Sequence, residues 1–371
     1  MRMERTNTSP VAQWWRTMDR VTLLTVAIIA AIGLVLVMAA SPAVASHLGR
    51  QPFHFVKAQV VFLTAGAAII VCFSTMPVVV IRRIAVLGFV ASVILLVAVL
   101  VFGAERNGAK RWLSIAGFAL QPSEFARPLF AVVTAWVLAR RNMVEGYPGF
   151  RIALALYALM VALLVLQPNF SMVIAVSLVW GAQMFLAGLP LVWAFGILGV
   201  GVAGSVAAYM IFPHVAHRIN TFLDPASGDN YQVAKAREAI IHGGFTGVGP
   251  GQGVVKQHVP DAHTDFIFAV AGEELGTLVC MGMAALFACV VLRGFYRVSR
   301  ESNLFIVYAA SGLLIQFGMQ ALVNMGVALS LLPNTGMTLP FVSYGGSSTL
   351  AISMAMGMIL AFTRKRYGEA G

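Results

Sequence analysis

Long apolar runs alternate with short polar segments along almost the whole chain. The runs cover residues 21–40, 58–76, 84–103, 122–138, 152–166, 170–186, 191–212, 265–292, 304–323 and 343–363. Most are roughly 15–20 residues long and none shows a two-residue alternation, so they predict helices that cross a bilayer rather than strands. The fourth and fifth are short or interrupted by polar residues. The gaps are short except for one of about 50 residues between the seventh and eighth runs, a length that marks a functional or independently folded loop. No internal repeat or low-complexity segment is evident. The pattern predicts an all-α polytopic integral membrane protein of about ten transmembrane helices. Its single transmembrane domain spans 21–363, with tails at 1–20 and 364–371 and one large extracytoplasmic loop at 213–264.

Composition removes the soluble alternative. Hydrophobic residues make up 59% of the 371 positions and charged residues 11%, with a mean hydropathy of +0.85. A soluble domain carries about 25% charged residues. Inside lipid every backbone N–H and C=O needs an internal partner, which leaves helices or a closed barrel. Cys72, Cys280 and Cys289 all fall in apolar runs, so no disulfide framework is implied. About 20 mostly polar residues precede the first span, unlike a cleavable signal.

Charge placement orients the helices. With the N-terminus inside, the inner segments hold 15 of the 25 lysines and arginines. They are Arg2, Arg5, Arg16, Arg20, Arg82, Arg83, Arg140, Arg141, Arg151, Arg293, Arg297, Arg300, Arg364, Lys365 and Arg366. Four of the remaining ten lie in the long loop, where they count little. All seven histidines (His47, His54, His214, His217, His242, His258, His263) then face outward. So do Glu105, Asp224, Asp229, Glu238, Asp261 and Asp265. Side chains able to do acid–base or metal work gather on the outer face. The net charge of +11 is explained by topology and by anionic head groups. Basic residues scattered over both faces make nucleic acid no partner.

Four outward segments carry candidate chemistry. Asn107-Gly108-Ala109-Lys110-Arg111-Trp112 is followed by Gln121-Pro122-Ser123-Glu124-Phe125-Ala126-Arg127, with Pro122 well placed to start a helix. Glu124 and Arg127, three apart, can pair on it, as a structural ion pair or as the polar wall of a site. Gln167-Pro168-Asn169 reads as a tight turn. The long loop contains Arg218, Phe222, Leu223, Asp224, Pro225, Tyr231 and Gln232. A stretch of helical character runs to Ile241, and the glycine-rich run from Gly243 to Gly253 follows. That run suits phosphate binding through backbone N–H groups, or simply a flexible turn. The loop ends in Lys256, His258, Asp261, His263 and Asp265. Asp265 is expected at the mouth of a span, as a general base whose pKa desolvation raises, as a helix cap, or as part of a metal site. The fourth segment, Leu332 to Ser348, carries Ser343 and Tyr344. Its prolines and small residues predict irregular backbone lining a cavity or close helix packing.

These motifs in order, NGAKRWL…QPSEFAR, FLDP…YQ, GGFTGVGPGQG, PDAHTDFIFAVAGEELG and NMGVALSLLPNTGMTLPFVSYGGSS, resemble the SEDS family (shape, elongation, division and sporulation) over about residues 20–365. AHTDFIFAVAGEELG and TLPFVSYGGSS resemble its division-type members more than its elongation-type members. Asn169 stands where the family usually has aspartate, and Arg127 where lysine is common. The resemblance implies a peptidoglycan glycosyltransferase polymerising lipid II at the outer face of the bacterial cytoplasmic membrane, at the division septum. It implies Asp265 as the catalytic residue. It implies a substrate site of Lys110, Arg111, Trp112, Glu124, Arg127, Arg218, Lys256, His263, Ser343 and Tyr344. A divalent cation, magnesium or manganese, at Asp265 fits the same picture, with no organic cofactor. The implied partners are lipid II, undecaprenyl-pyrophosphate-linked glycan, a class B penicillin-binding protein and other divisome membrane proteins.

Three other readings stay open. A lipid II flippase needs polar groups through the membrane thickness, and the acidic residues within the runs are chiefly Glu273 and Glu274. An elongation-type polymerase shares most of the motifs. A scaffold that only recruits enzymes would tolerate substitution of the outward polar segments.

Overall fold

The computed structural model describes residues 9–106, 109–115, 118–223 and 231–364. Arg2, Arg5, Asn107, Gly108, Asp224, Pro225, Asp229, Lys365 and Arg366 lie outside them. So do the side chains of His47, Glu105, His214, His217, Arg218 and Leu223. The helices are α1 (Pro10–Thr17), α2 (Arg20–His47), α3 (His54–Thr75), α4 (Val78–Phe102), α5 (Pro122–Arg141), α6 (Gly149–Leu166) and α7 (Phe170–Leu186). They continue with α8 (Leu191–Ile211), α9 (Pro213–Leu223), α10 (Tyr231–Gly243), α11 (Ile267–Val298), α12 (Leu304–Ala328) and α13 (Gly346–Phe362). Every expected span falls on one of α2–α8 and α11–α13. Six helices (α2, α3, α4, α6, α11 and α12) are long and apolar enough to cross a membrane, and α7 and α13 are shorter apolar helices. The protein is a multi-pass membrane protein.

Two kinds of helix build the bundle. α5 and α13 are buried along almost their whole lengths, and α12 along most of its own. α4 turns Leu87, Val90, Ile94, Val97 and Val101 outward, where lipid takes the place of a packing partner. This explains the interrupted fourth run. α5 carries Glu124 and Arg127 within its buried length because it touches protein, not lipid. α12 packs on α5, α7 and α11, and α13 packs on α3 and α5.

Helix ends gather on two opposite faces. On the arginine-rich face, Asp19 caps α2 through the Val21 N–H (3.2 Å) and pairs with Arg293 (2.8 Å) and Arg297 (2.7 Å) at the end of α11. Burial pushes the Asp19 carboxyl up, but the Arg293 hydrogen bond and the Arg297 charge outweigh it and hold the group below its usual range. Arg297 also donates to the Thr363 carbonyl (3.0 Å), and the Trp14 indole donates to Ser74 (3.0 Å). The starts of α1 and α2 and the ends of α3, α11 and α13 thus share one face, as the arginine pattern predicts.

The opposite face carries a three-stranded antiparallel sheet that the apolar pattern does not predict. Strands β1 (Ala104–Arg106), β2 (Ala109–Ile115) and β3 (Phe118–Leu120) lie in the order β1-β2-β3. Glu105 pairs with Lys110, and Leu113 with Leu120. In the sequence the signal is Asn107-Gly108, the turn dipeptide that two-residue hairpins favour.

The expected eighth span is broken. Gly276 (φ 82°, ψ 171°) interrupts α11, so Ile267–Leu275 is a short lead-in and the long membrane helix begins after the glycine. Of residues 266–276, all but Leu275 are buried. The break frees backbone groups that membrane protein must satisfy internally. The glycine-rich run supplies the partners. Val248 N–H bonds Glu273 O (2.9 Å) and Gly249 N–H bonds Glu274 O (3.0 Å), while Thr277 N–H bonds Gly244 O (3.0 Å) and Leu278 N–H bonds Phe245 O (3.3 Å). A side chain on Gly247 (φ 80°) would overlap the Glu274 carbonyl, and one on Gly276 would overlap the backbone of 245–247. Gly247 and Gly276 are there for close backbone approach, and this part of the run is committed to docking on α11.

Two carboxylates secure the same junction. Glu273 accepts the N–H groups of Val254 (2.8 Å), Val255 (2.7 Å) and Lys256 (2.7 Å), which open the 3₁₀ turn Val255–His258, and it pairs with His242 (3.0 Å). Glu274 pairs with the Lys256 ammonium, which also donates to the Ala39 carbonyl (3.0 Å). Lys256 is therefore a buried structural cation and not the outward one expected.

Two outcomes check this arrangement. Gly247→Ala lowers the melting temperature in detergent, because alanine fits neither the left-handed backbone (φ 80°) nor the close approach, and an incompatible replacement costs more than about 1 kcal/mol. Gly251→Ala carries the same left-handed strain (φ 79°) but has open space at the missing side chain, so it costs less. Equal shifts would contradict the close approach. Lys256→Met leaves Glu274 buried alone and costs about 3–5 kcal/mol. Adding Glu274→Met recovers most of that loss, which a comparison of folded yields reads directly.

Candidate functional site

The site forms where two irregular segments meet on the sheet-bearing face. One is 259–266, leading into α11. The other is 331–345, joining α12 to α13. Tyr344 N–H bonds the His263 carbonyl (2.9 Å), and the Ser343 hydroxyl donates to the Thr264 carbonyl (2.5 Å) while accepting from Leu339 N–H (2.8 Å). Gln59 on α3 donates to the Ser343 carbonyl (3.3 Å). Asn324, four residues from the end of α12, donates to the carbonyls of Asp265 (2.9 Å) and Met337 (2.7 Å). Asp265, His263, Ser343 and Tyr344, far apart in sequence, are brought together.

Asp265 is half-buried and does not cap its helix. Phe266 occupies the cap position of α11, with no side-chain cap hydrogen bond. Asp265 stands two residues before the helix of the expected eighth span, and the lead-in 267–275 lies between it and the Gly276 break. One carboxylate oxygen lies 3.7 Å from the point where a side chain on Gly336 would begin. A larger residue at 336 would crowd the carboxylate.

His263 is buried, its ring 5.4 Å from and nearly parallel to Tyr344, and 4.4 Å from Phe55. Burial pushes its pKa down to about 4, so it is neutral at pH 7. Burial also raises the Tyr344 hydroxyl. These rings form a wall beside Asp265; His263 supplies no charge to a substrate.

Glu124 and Arg127 pair on α5 and are both buried. Arg127 also donates to Gln320 (3.3 Å), and Gln320 donates to the Thr338 carbonyl (3.0 Å). Thr338 and Ser348 hydroxyls lie 2.6 Å apart. The α5 ion pair thus joins the loop next to Asp265 through α12. Arg127 Nε and Nη1 and Gln316 Oε1 have no partner among the described residues, and Arg127 and Gln316 border one small void.

The sheet carries the remaining candidates. Lys110 is exposed and Trp112 half-buried. Arg111 donates to the carbonyls of Gln167 (3.3 Å) and Pro168. It braces the α6–α7 turn, whose Gln167 side chain bonds the Leu96 carbonyl (2.9 Å). Asn169 is buried at the start of α7. Ser347 donates to the Ala119 carbonyl (3.2 Å) and accepts from Gln121 N–H (3.1 Å), fastening β3 to α13. Arg218 lies on α9, and its side chain is outside the described residues.

Sequence reading missed Gln59, Gln316, Gln320, Asn324 and Arg50. Gln59, Gln316 and Gln320 sit inside apolar runs and Asn324 just past one, and Gln316, Gln320 and Asn324 repeat every four residues on α12. Polar residues at helical spacing in a span mark a polar interior face. Among the described residues no three His, Cys, Asp or Glu side chains assemble as a ligand set. No ready-made protein cage for a divalent cation is therefore present at Asp265 among the described residues, and no step below is routed through one.

The family model FTSW_RODA_SPOVE, described as a cell cycle protein, matches residues 19–368. A probable peptidoglycan glycosyltransferase FtsW of Caulobacter vibrioides (strain NA1000 / CB15N) is 42% identical over 368 residues, 99% of this chain and 94% of that protein. A solved chain from work on the structural coordination of polymerization and crosslinking by a peptidoglycan synthase complex superposes with a TM-score of 0.78. It is 27% identical, over 93% of this chain and 97% of that one. The rod shape determining protein RodA of Thermus thermophilus superposes with a TM-score of 0.70 at 25% identity, over 94% and 97%. The chain belongs to the FtsW, RodA and SpoVE family of membrane proteins.

Proposed function

We propose that this protein is a peptidoglycan glycosyltransferase that polymerises lipid II at the outer face of the cytoplasmic membrane, for the septal wall. A class B penicillin-binding protein and other divisome membrane proteins are its partners. The observation that carries the reading is Asp265: a half-buried carboxylate, not spent on capping, at the junction of two stitched loops beside an aromatic wall.

In the reaction the C4 hydroxyl of one lipid-linked disaccharide attacks the anomeric carbon of the lipid-linked chain. The new C–O bond forms as the bond to pyrophosphate breaks. Asp265 takes the hydroxyl proton, a general-base role. Undecaprenyl pyrophosphate leaves with the electron pair and needs positive charge at its oxygens. Lys110 is an exposed cation suited to this. Arg111 holds the turn that positions β2. Glu124 and Arg127 support the loop above them rather than meet the sugar. Tyr344 and Trp112 offer ring faces to saccharide.

The flippase reading loses its best evidence, since Glu273 and Glu274 are committed to the α11 junction and line no path. Purified protein with its partner, given lipid II, yields glycan polymer if the proposal is right; flipping without polymer would restore the transporter.

Two mutational outcomes follow. Asp265→Asn keeps the shape and removes the base, so polymerisation falls by about 10²–10⁴-fold in a folded, partner-binding protein. Asp261→Asn, at an exposed left-handed position (φ 52°) that Asn accepts, stays near wild type. Full activity in Asp265→Asn at matched protein amounts would falsify the base assignment. Lys110→Ala raises the lipid II concentration needed for half-maximal rate with little change in melting temperature, since exposed charges contribute little stability. Arg111→Ala lowers the melting temperature because two carbonyls lose their donor. The reverse pattern would exchange the two roles.

A further inference from the structure

The corner between α2 and α3 holds a second group of cations that the reaction above does not use. α2 ends in a Schellman turn: Arg50 N–H bonds Ala45 O (2.8 Å) and Gly49 N–H bonds Ser46 O (3.2 Å). The Ser41 hydroxyl donates to the Pro52 carbonyl (2.6 Å) and ties the turn down. The backbone of Arg50 is thereby held while its side chain is exposed. Its guanidinium lies 2.9 Å from Nε2 of His54, the first residue of α3. Lys57, one turn further and exposed, shares the face of His54. Among the described residues no carboxylate pairs with Arg50 or Lys57.

This corner adjoins the Asp265 site. Phe55 packs edge-on to His54 (5.3 Å) and Tyr344 (5.1 Å), and closes on His263 (4.4 Å). Burial raises the Tyr344 hydroxyl and the positive charge of Arg50 partly offsets it, which places the guanidinium within electrostatic reach of the phenol. Uncompensated cations over an aromatic floor fit an anionic group attached to a sugar. A polymerase that joins two lipid-linked sugars must hold two pyrophosphates. One cation, Lys110, stands on β2; the other set stands here.

We propose that Arg50 and His54, backed by Tyr344, form a second pyrophosphate-binding subsite, which holds one of the two lipid-linked substrates beside Asp265. The inference rests on the polymerase reading.

The test uses the full-length protein with its partner and lipid II. Arg50→Ala lowers kcat/KM by about tenfold or more, chiefly through KM. Arg50→Lys recovers part of the loss, Arg50→Glu deepens it, and the salt dependence of KM weakens in Arg50→Ala. A second arm measures binding of undecaprenyl pyrophosphate and of undecaprenol to the protein in nanodiscs. Wild type prefers the pyrophosphate, and the Arg50→Ala/His54→Gln double variant loses much of that preference while the neutral alcohol binds as before. If wild type polymerises and the variants keep KM and the preference unchanged, the subsite is wrong. Equal loss of both lipids means a structural role and also overturns it. If wild type makes no polymer the proposed function fails, and the binding arm alone then decides the subsite.

Discussion

The backbone break at Gly276 sets the terms for the rest of the outer half of the molecule. A helix entering lipid cannot leave N–H and C=O groups unpaired. Here the freed groups are paired by a loop that must come close enough to bond, and glycine at 247 and 276 lets it. Once the loop is docked, residues 254–256 are carried to Glu273, and Lys256 to Glu274. The lead-in 267–275 is then fixed in a protein-lined position, and Asp265 is delivered to the loop of α12–α13. The placement of one carboxylate thus depends on hydrogen bonds made well beyond it in the chain.

The second support runs down α12. Asn324, Gln320 and Gln316 face inward at four-residue spacing, and the first two hold the Asp265 carbonyl, the Met337 and Thr338 carbonyls and Arg127. A hydrophobic contact of the same area would stabilise without direction. Amide side chains instead bond specific carbonyls of irregular backbone, which needs donors because no strand or helix supplies them. Phe341, buried with φ 62°, shows that this loop also holds a conformation rare for a bulky residue. The polar stripe is what keeps such a loop in one arrangement.

Much of this was legible in the sequence. The ten apolar runs fall on helices, arginine placement separates the two faces, Pro122 opens α5, and Glu124 pairs with Arg127 as their spacing allows. The rest was hidden for physical reasons. A nine-residue apolar lead-in looks like the start of a span, because hydropathy does not distinguish burial in protein from burial in lipid. Glycine-rich segments read alike whether they bind phosphate or admit another backbone. The sheet was hidden by its length: three strands of three to seven residues carry little periodicity.

The same limit governs the cations, and it is the most useful result for the site. Lys256, Arg127, Arg111, Lys110 and Arg50 look equivalent in an outward-facing sequence. The structure divides them by what it would cost to remove their partners. Lys256 and Arg127 are buried against carboxylates, so their charge is already spent. Arg111 is committed to two carbonyls. Lys110 and Arg50 are exposed, and Arg50 has only a histidine ring as its hydrogen-bond partner among the described residues. A leaving pyrophosphate gains most from a cation that need not abandon a buried carboxylate to reach it, since such a carboxylate left alone costs several kcal/mol, roughly 3–5. Charge available for substrate is therefore found at the rims of the site, on β2 and at the α2–α3 corner. Its buried ion pairs hold the scaffold that sets Asp265 among them.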